Sequence, residues 1–268
     1  MSMLNDLKHS DRILVLSPHL DDAVLSVGGI MEYASHRGRK VVAASICTSE
    51  APVSVSSSPA VREKHEKWGL GPYPFSVRCA EDIEAVHALG AYYLHGGKLD
   101  AIYRTDSDGT LIYPSPTSRF SDLSPADPLP SSLVGLLEEW IAIIAPTIIL
   151  CPLGVGQHVD HVITSQALKR VTTIDRISVF LYEDMPYSAG YYGSRDTVKD
   201  AINRTEWAVG LPVIVPVDVD AKLAAVKKYG SQLASIFPEG HDAESELKGY
   251  MAGLIESRYQ ERVWRAHL

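Results

Sequence analysis

The chain has 268 residues, 46% of them hydrophobic, which is enough for a sizeable core in one large α/β domain. Lys and Arg number 25 against 33 Asp and Glu, a formal charge of -8, and no basic stripe interrupts that balance, which argues against nucleic-acid binding. Three widely spaced cysteines, Cys47, Cys79 and Cys151, argue against a disulfide framework, and the lack of a CxxC pair argues against a thiolate metal site.

The first residues, Met1 to Lys8, contain no apolar core of a secretory signal. No apolar run reaches the roughly 18 residues needed to span a bilayer. The expectation is a cytoplasmic protein with no membrane partner. Homo-oligomerisation is left open by the sequence.

In chain order, Arg12–Leu16 reads as a short buried strand. The helix after it carries Val24, Val27, Met31 and Ala34 near helical spacing and ends around Gly38. The pair Gly28-Gly29 is costly inside a helix, and a close approach to the sheet would explain it. Lys40–Thr48 is a second strand, almost entirely apolar or small, as in a parallel sheet buried on both faces. Ser49–Ser76 is polar and punctuated by Gly and Pro, so it reads as a long loop. Arg78–Leu89 is a helix closed by Gly90, and Ala91–Leu94 is a short strand. Lys98–Ser132 is a second irregular region.

Leu133–Ile144 is an amphipathic helix that ends before Pro146. Thr147–Leu153 is a strand, Asp160–Val171 a helix and Ile177–Tyr182 another strand. Leu211–Val217 is a late strand. Asp218 or Asp220 caps a helix over Ala221–Tyr229, and a C-terminal helix covers 243–262. Strands alternating with helices predict a Rossmann-like, mostly parallel sheet with helices on both faces, built as a single domain over 1–268.

Two clusters carry chemistry. Ser17-Pro18-His19-Leu20-Asp21-Asp22 sits where the first strand hands over to its helix, and His158-Val159-Asp160-His161 follows a later strand. In open α/β sheets ligands bind at the carboxyl ends of strands. Imidazole and carboxylate suit a catalytic metal with three protein ligands. Of two adjacent carboxylates, one can hold the metal while its neighbour serves as general base. One of His158 and His161 can complete the metal site while the other stands over the leaving group or the oxyanion. Asp160 can orient a histidine.

At these residues the chain resembles the LmbE-like, or PIG-L, family of zinc-dependent N-deacetylases. Pro18-His19-Leu20-Asp21-Asp22-Ala23 is similar to the first family motif and His158-Val159-Asp160-His161 to the second. Arg78-Cys79-Ala80-Glu81-Asp82, Leu99–Arg104 and Tyr182–Tyr187 resemble further blocks of a bacterial subgroup. The resemblance implies a zinc ion held by His19, Asp22 and His161, with Asp21 as general base. It implies His158 as general acid or oxyanion-side group, with Asp160 supporting a histidine. It also implies substrate contacts from Arg78 and Asp100.

The sequence departs from the family at two points. Ala23 stands where the family usually has Glu, and Gly156 where some members carry a tyrosine that polarises the carbonyl. The oxyanion donor is therefore open among His158, the metal and a tyrosine such as Tyr187. Iron or cobalt suits the same donors as zinc. The implied activity is removal of an N-acetyl group from an amino sugar or a related small N-acetylated metabolite. An amidase acting on a larger acyl or peptide-like conjugate is the alternative, and a non-catalytic binding protein a more distant one. Tyr73, Tyr103, Tyr113 and Trp68 are candidates either to stack on a sugar ring or to anchor their loops.

Overall fold

The computed structural model describes residues 8, 10–190, 196–237, 240–252 and 258–268. Among the described residues seven strands form one sheet: β1 Arg12–Ser17, β2 Lys40–Cys47, β3 Tyr92–Lys98, β4 Ile148–Pro152, β5 Ser178–Tyr182, β6 Ala208–Pro216 and β7 Gln260–His267. Their order across the sheet is β3-β2-β1-β4-β5-β7-β6. The pairs from β3 to β5 are parallel, whereas β7 runs antiparallel to both β5 and β6. The sheet is thus mixed but mostly parallel, as the alternation of elements predicts.

Among the described residues ten α-helices connect the strands: α1 Asp22–Ser35, α2 Val53–Ser56, α3 Pro59–Trp68, α4 Pro74–Ala88, α5 Leu129–Ile144, α6 Val159–Lys169, α7 Val198–Arg204, α8 Val219–Val226, α9 Gly230–Ile236 and α10 Ala243–Ala252. Strand side chains alternate between faces. Ile13 and Val15 of β1 enter one core with residues of α1, α4, α8 and α10, while Leu14 and Leu16 enter a second core with α5 and α6. β1 pairs with β2 on one side and β4 on the other, so the chain order reverses between β1 and β4. That reversal opens the crevice at their carboxyl ends where doubly wound sheets bind ligands.

Three expectations change. Ser49–Ser76 is not one long loop: Val61, His65 and Trp68 form the buried stripe of α3 and pack a separate apolar cluster with Leu20, Val55, Phe75, Ile102 and Tyr103. The stripe was hidden because its middle member is a histidine, whose Nε2 is bonded to the Tyr103 hydroxyl at 2.6 Å. Of the helix expected over 243–262, the described part is Ala243–Ala252, and Gln260–His267 is strand instead. Its charges disguised it, because Glu261 is buried against Lys222 at 2.7 Å and Arg262 pairs with Glu183.

The third change concerns Gly28-Gly29. A Cβ at Gly29 would lie 2.5 Å from the Cβ of Val217, so the close approach is to the segment leaving β6 and not to a strand below. α1 is also broken at Val27, with φ -132° and ψ 23°. The amides beyond the break, Gly29 N and Ile30 N, donate to the Glu261 carboxylate at 2.9 and 2.8 Å. A carboxylate from β7 therefore caps the second half of the first helix.

Candidate active site

The turn leaving β1 is stitched by Ser17. Its hydroxyl donates to His19 O at 2.6 Å and accepts from Ala23 N at 2.9 Å. Asp21 occupies the position before α1 but makes no capping hydrogen bond, which leaves its carboxylate facing the cavity. Asp22 opens the helix, where the aligned peptide dipoles favour a negative charge. Its Oδ2 accepts from His19 N at 2.8 Å and lies 3.0 Å from His19 Nδ1.

α6 brings the second cluster to the same point. His161 Nε2 is 3.2 Å from Asp22 Oδ2, yet it is buried and makes no hydrogen bond. The far side of each ring is held by a buried carboxylate. His161 Nδ1 donates to Asp184 Oδ1 at 2.7 Å, and His19 Nε2 donates to Asp160 Oδ2 at 3.0 Å. Burial lowers the pKa of both rings, but Asp22 with Asp160 and Asp184 outweighs it and raises them, so a proton on His19 Nδ1 or His161 Nε2 is one cation that fits beside Asp22 Oδ2; as neutral rings with their protons outward, both turn lone pairs toward it. Acceptors facing one another repel unless a cation lies among them, so His19, Asp22 and His161 fit a metal ion.

His19, His158 and His161 can also bring ring nitrogens within 4.8 Å of one another, as can donors of His19, Cys47 and Asp160. The last set is unsuited to a cation, because Arg104 sits 2.6 Å from Asp160 Oδ1. His158 is drawn partly away from the first set by a bond of its own. It caps α6, its Nδ1 accepting from Asp160 N at 3.3 Å. Burial, together with the neighbouring His19, holds its pKa well below the usual histidine value. Neutral His158 therefore carries its hydrogen on Nε2.

Burial and the adjacent Asp22 raise the Asp21 carboxyl to about 6. Burial also opposes the charge on Asp22, but His161 and His19 outweigh it and hold that carboxyl well below the ordinary range.

These groups line a cavity of about 310 Å³ together with Lys64, Trp68, Arg78, Asp100, Arg119, Phe120 and Tyr187. All eight predicted site residues thus gather in one region: six line the cavity, and Asp160 and His161 support it from behind. Arg78 is 3% exposed, stacks on Trp68 and Phe75 at 4.7 and 4.9 Å, and lies 3.7 Å from Asp21. Asp100 caps the turn Ala101–Tyr103 by accepting from Ile102 N, and its Oδ2 lies 3.9 Å from His19 Nε2. Of the four aromatic candidates, Tyr103 and Tyr113 are buried anchors. Trp68 forms a wall, and Tyr73 is exposed away from the cavity.

Gly156 has φ +83°, and a Cβ there would meet the Tyr187 side chain at 2.7 Å. The missing side chain makes room for Tyr187, whose ring lies 6.2 Å from that of His158. Sequence reasoning assigned no role to Asp184 or Arg104. Arg104 is a lone charge in a loop and Asp184 follows Glu183 directly, and nothing in their neighbours marks them as buried partners of the two clusters. A second cavity of about 310 Å³ lies behind the turn at Gly154 and Gln157, lined by Trp207 and Arg204, and holds none of the clustered histidines.

The family model described as PIG-L: GlcNAc-PI de-N-acetylase matches residues 14–172, from β1 through α6. The chain belongs to the PIG-L family. This PIG-L member is 27% identical over 270 residues to 2'-N-acetylparomamine deacetylase from Streptomyces fradiae, covering 94% of this chain and 89% of the relative. It superposes on the zinc-inhibited form of a teicoplanin deacetylase with a TM-score of 0.82 at 27% identity, covering 96% of this chain and 98% of that one. The A40926 pseudoaglycone deacetylase gives a TM-score of 0.77 at 31% identity, covering 96% and 97%. Among the described residues, no helix of this PIG-L member is long and apolar enough to cross a membrane.

Proposed function

We propose that this chain is a zinc-dependent hydrolase that removes the N-acetyl group from an amino sugar or a related small N-acetylated metabolite. One observation carries the reading. Two ring nitrogens, each backed by a buried carboxylate, turn toward Asp22 Oδ2, and the carboxylate of Asp21 stands beside them uncommitted to any cap. The deacetylase names of the similar proteins support it.

His19 Nδ1, Asp22 and His161 Nε2 hold the metal, for which zinc suits the donor set. When bound, zinc supplies Lewis-acid polarisation of the amide carbonyl and a lowered pKa for water. Asp21 takes the proton of the attacking water and hands it to the leaving amine. His158 Nε2–H donates to the carbonyl oxygen as it gains charge, which assigns His158 to the oxyanion and not to the leaving group. Asp160 and Asp184 position the rings of His19 and His161. Arg78 and Asp100 contact the substrate from the cavity wall. The three free thiols support a reducing, cytoplasmic setting.

The test is zinc content together with acetate release from N-acetylglucosamine derivatives, for the wild type and for Asp21→Asn and His161→Ala. The wild type carries stoichiometric zinc and releases acetate. Asp21→Asn retains zinc and loses release, and His161→Ala loses zinc. Zinc-loaded protein that releases no acetate from any N-acetylated sugar would overturn the proposal.

A further inference from the structure

The wall of the cavity has a charge pattern unlike that of the whole chain. The chain carries -8, yet four Lys or Arg line the cavity, Lys64, Lys67, Arg78 and Arg119, against the carboxylates of Asp21, Asp22 and Asp100. Asp22 is committed to His19 and His161, and a bound metal adds further positive charge. Two of the cations are accounted for. Lys67 pairs with Glu63 at 2.8 Å, and Arg78 lies beside Asp21 on its aromatic cushion.

Lys64 and Arg119 are different. They come from the two irregular stretches, α3 and the turn Thr117–Phe120, and they meet across the same opening. Among the described residues no carboxylate forms an ion pair with either of them. Lys64 has only the face of Trp68, at 5.2 Å from its Nζ. Burial lowers its pKa to about 8; Asp100 opposes that, and Arg119 and Arg78 add to it. The half-buried ammonium thus feels two guanidinium groups as well as the carboxylates of Asp100 and Asp21, and among the described residues it forms an ion pair with neither carboxylate.

We propose that Lys64 and Arg119 form an anion subsite at the mouth of the cavity, and that the N-acetylated substrate carries a carboxylate or phosphate that they bind. The acetamido group then faces Asp21 and His158 while the acidic group stays at the mouth. A cationic N-acetylated amino sugar meets like charge there. The inference rests on the deacetylase reading for the identity of the scissile group, but the anion site itself does not need turnover to be observed.

The experiment uses the full zinc-loaded chain and three probes with the same ring: N-acetylglucosamine, N-acetylglucosamine 6-phosphate and N-acetylmuramic acid. Binding is measured by calorimetry, and acetate release is followed in the same samples. At least one acidic probe binds about tenfold more tightly than the neutral one, an advantage that shrinks as ionic strength rises. Lys64→Gln and Arg119→Gln each remove most of that advantage, and Lys64→Arg retains it. The stronger of the two acidic probes tells phosphate from carboxylate. No binding of either acidic probe, equal binding of all three, or an advantage unchanged in both Gln variants would overturn the subsite. An acidic advantage without acetate release leaves the subsite standing and rejects the deacetylase reading. Acetate release without an acidic advantage does the reverse.

Discussion

Asp184 accepts a hydrogen bond from Nδ1 of His161 at 2.7 Å with one oxygen, while its other oxygen is fixed by Gly154 N and Val155 N, both at 2.8 Å. The carboxylate thus joins the turn after β4 to the ring that completes the proposed metal site. Asp184→Asn places amide hydrogens where one set of donors points. We expect metal affinity to fall by about 10- to 100-fold. Loss of the backbone contacts lowers stability by about 2 kcal/mol. Metal titration and thermal unfolding check both parts.

Asp21 touches the opposite requirement. Its carboxylate makes no capping bond, so Asp21→Asn leaves the turn intact. We expect kcat to fall by at least about 100-fold, in the range typical of a lost general base, with zinc content and melting temperature close to wild type. Steady-state kinetics beside metal analysis separates this outcome from general damage to the site.

Gly156 is a packing residue for Tyr187. Gly156→Ala brings a Cβ to 2.7 Å from Tyr187 at a backbone φ of +83°. Stability should drop by about 1–3 kcal/mol from the combined strain and overpacking. Tyr187 must shift away from His158, and kcat/KM falls with it. Denaturant unfolding and kinetics of the single variant measure both effects.

His95 on β3 bonds through Nε2 to Asp82 Oδ2 at 2.9 Å, and the other Asp82 oxygen accepts from the Tyr229 hydroxyl at 2.7 Å. Burial lowers the pKa of His95, but the bonds to Asp82 and Cys79 outweigh it and raise the ring to about 9. The folded value is above the unfolded value of about 6.5. The stabilisation is therefore fully present below pH 6.5 and is lost as the pH rises through 9. We expect His95→Gln to be less stable than wild type by about 1 kcal/mol near pH 6, after discounting for solvent screening, and the gap to close by pH 9.5. Thermal unfolding of both proteins across that range reads the sign directly.

The parts of this molecule that repeat the period of their secondary structure were legible. β1, β2, β4 and β5 are apolar runs because they are buried on both faces, and α5 shows its stripe through Leu133, Leu137, Trp140 and Ile141. The two His/Asp clusters stood out because each follows such a run. What escaped notice was polar residues used inside. His65 interrupts the stripe of α3, and Glu261 and Arg262 make β7 look like solvent-facing helix, since their partners Lys222 and Glu183 are distant in sequence. Asp184 was unreadable for the same reason, because its meaning lies in His161, on helix α6 far back in the chain.

Glu261 also bears on the order in which the chain assembles. The carboxylate that caps the second half of α1 arrives on the last strand, and β6 reaches the sheet only through that strand. A nascent chain emerging amino end first therefore presents the Asp22 turn long before the helix behind it can be completed. Until Gln260–His267 slots between β5 and β6, Lys222 also lacks its carboxylate partner. Competence for hydrolysis would then be acquired only once Gln260–His267 has emerged and paired.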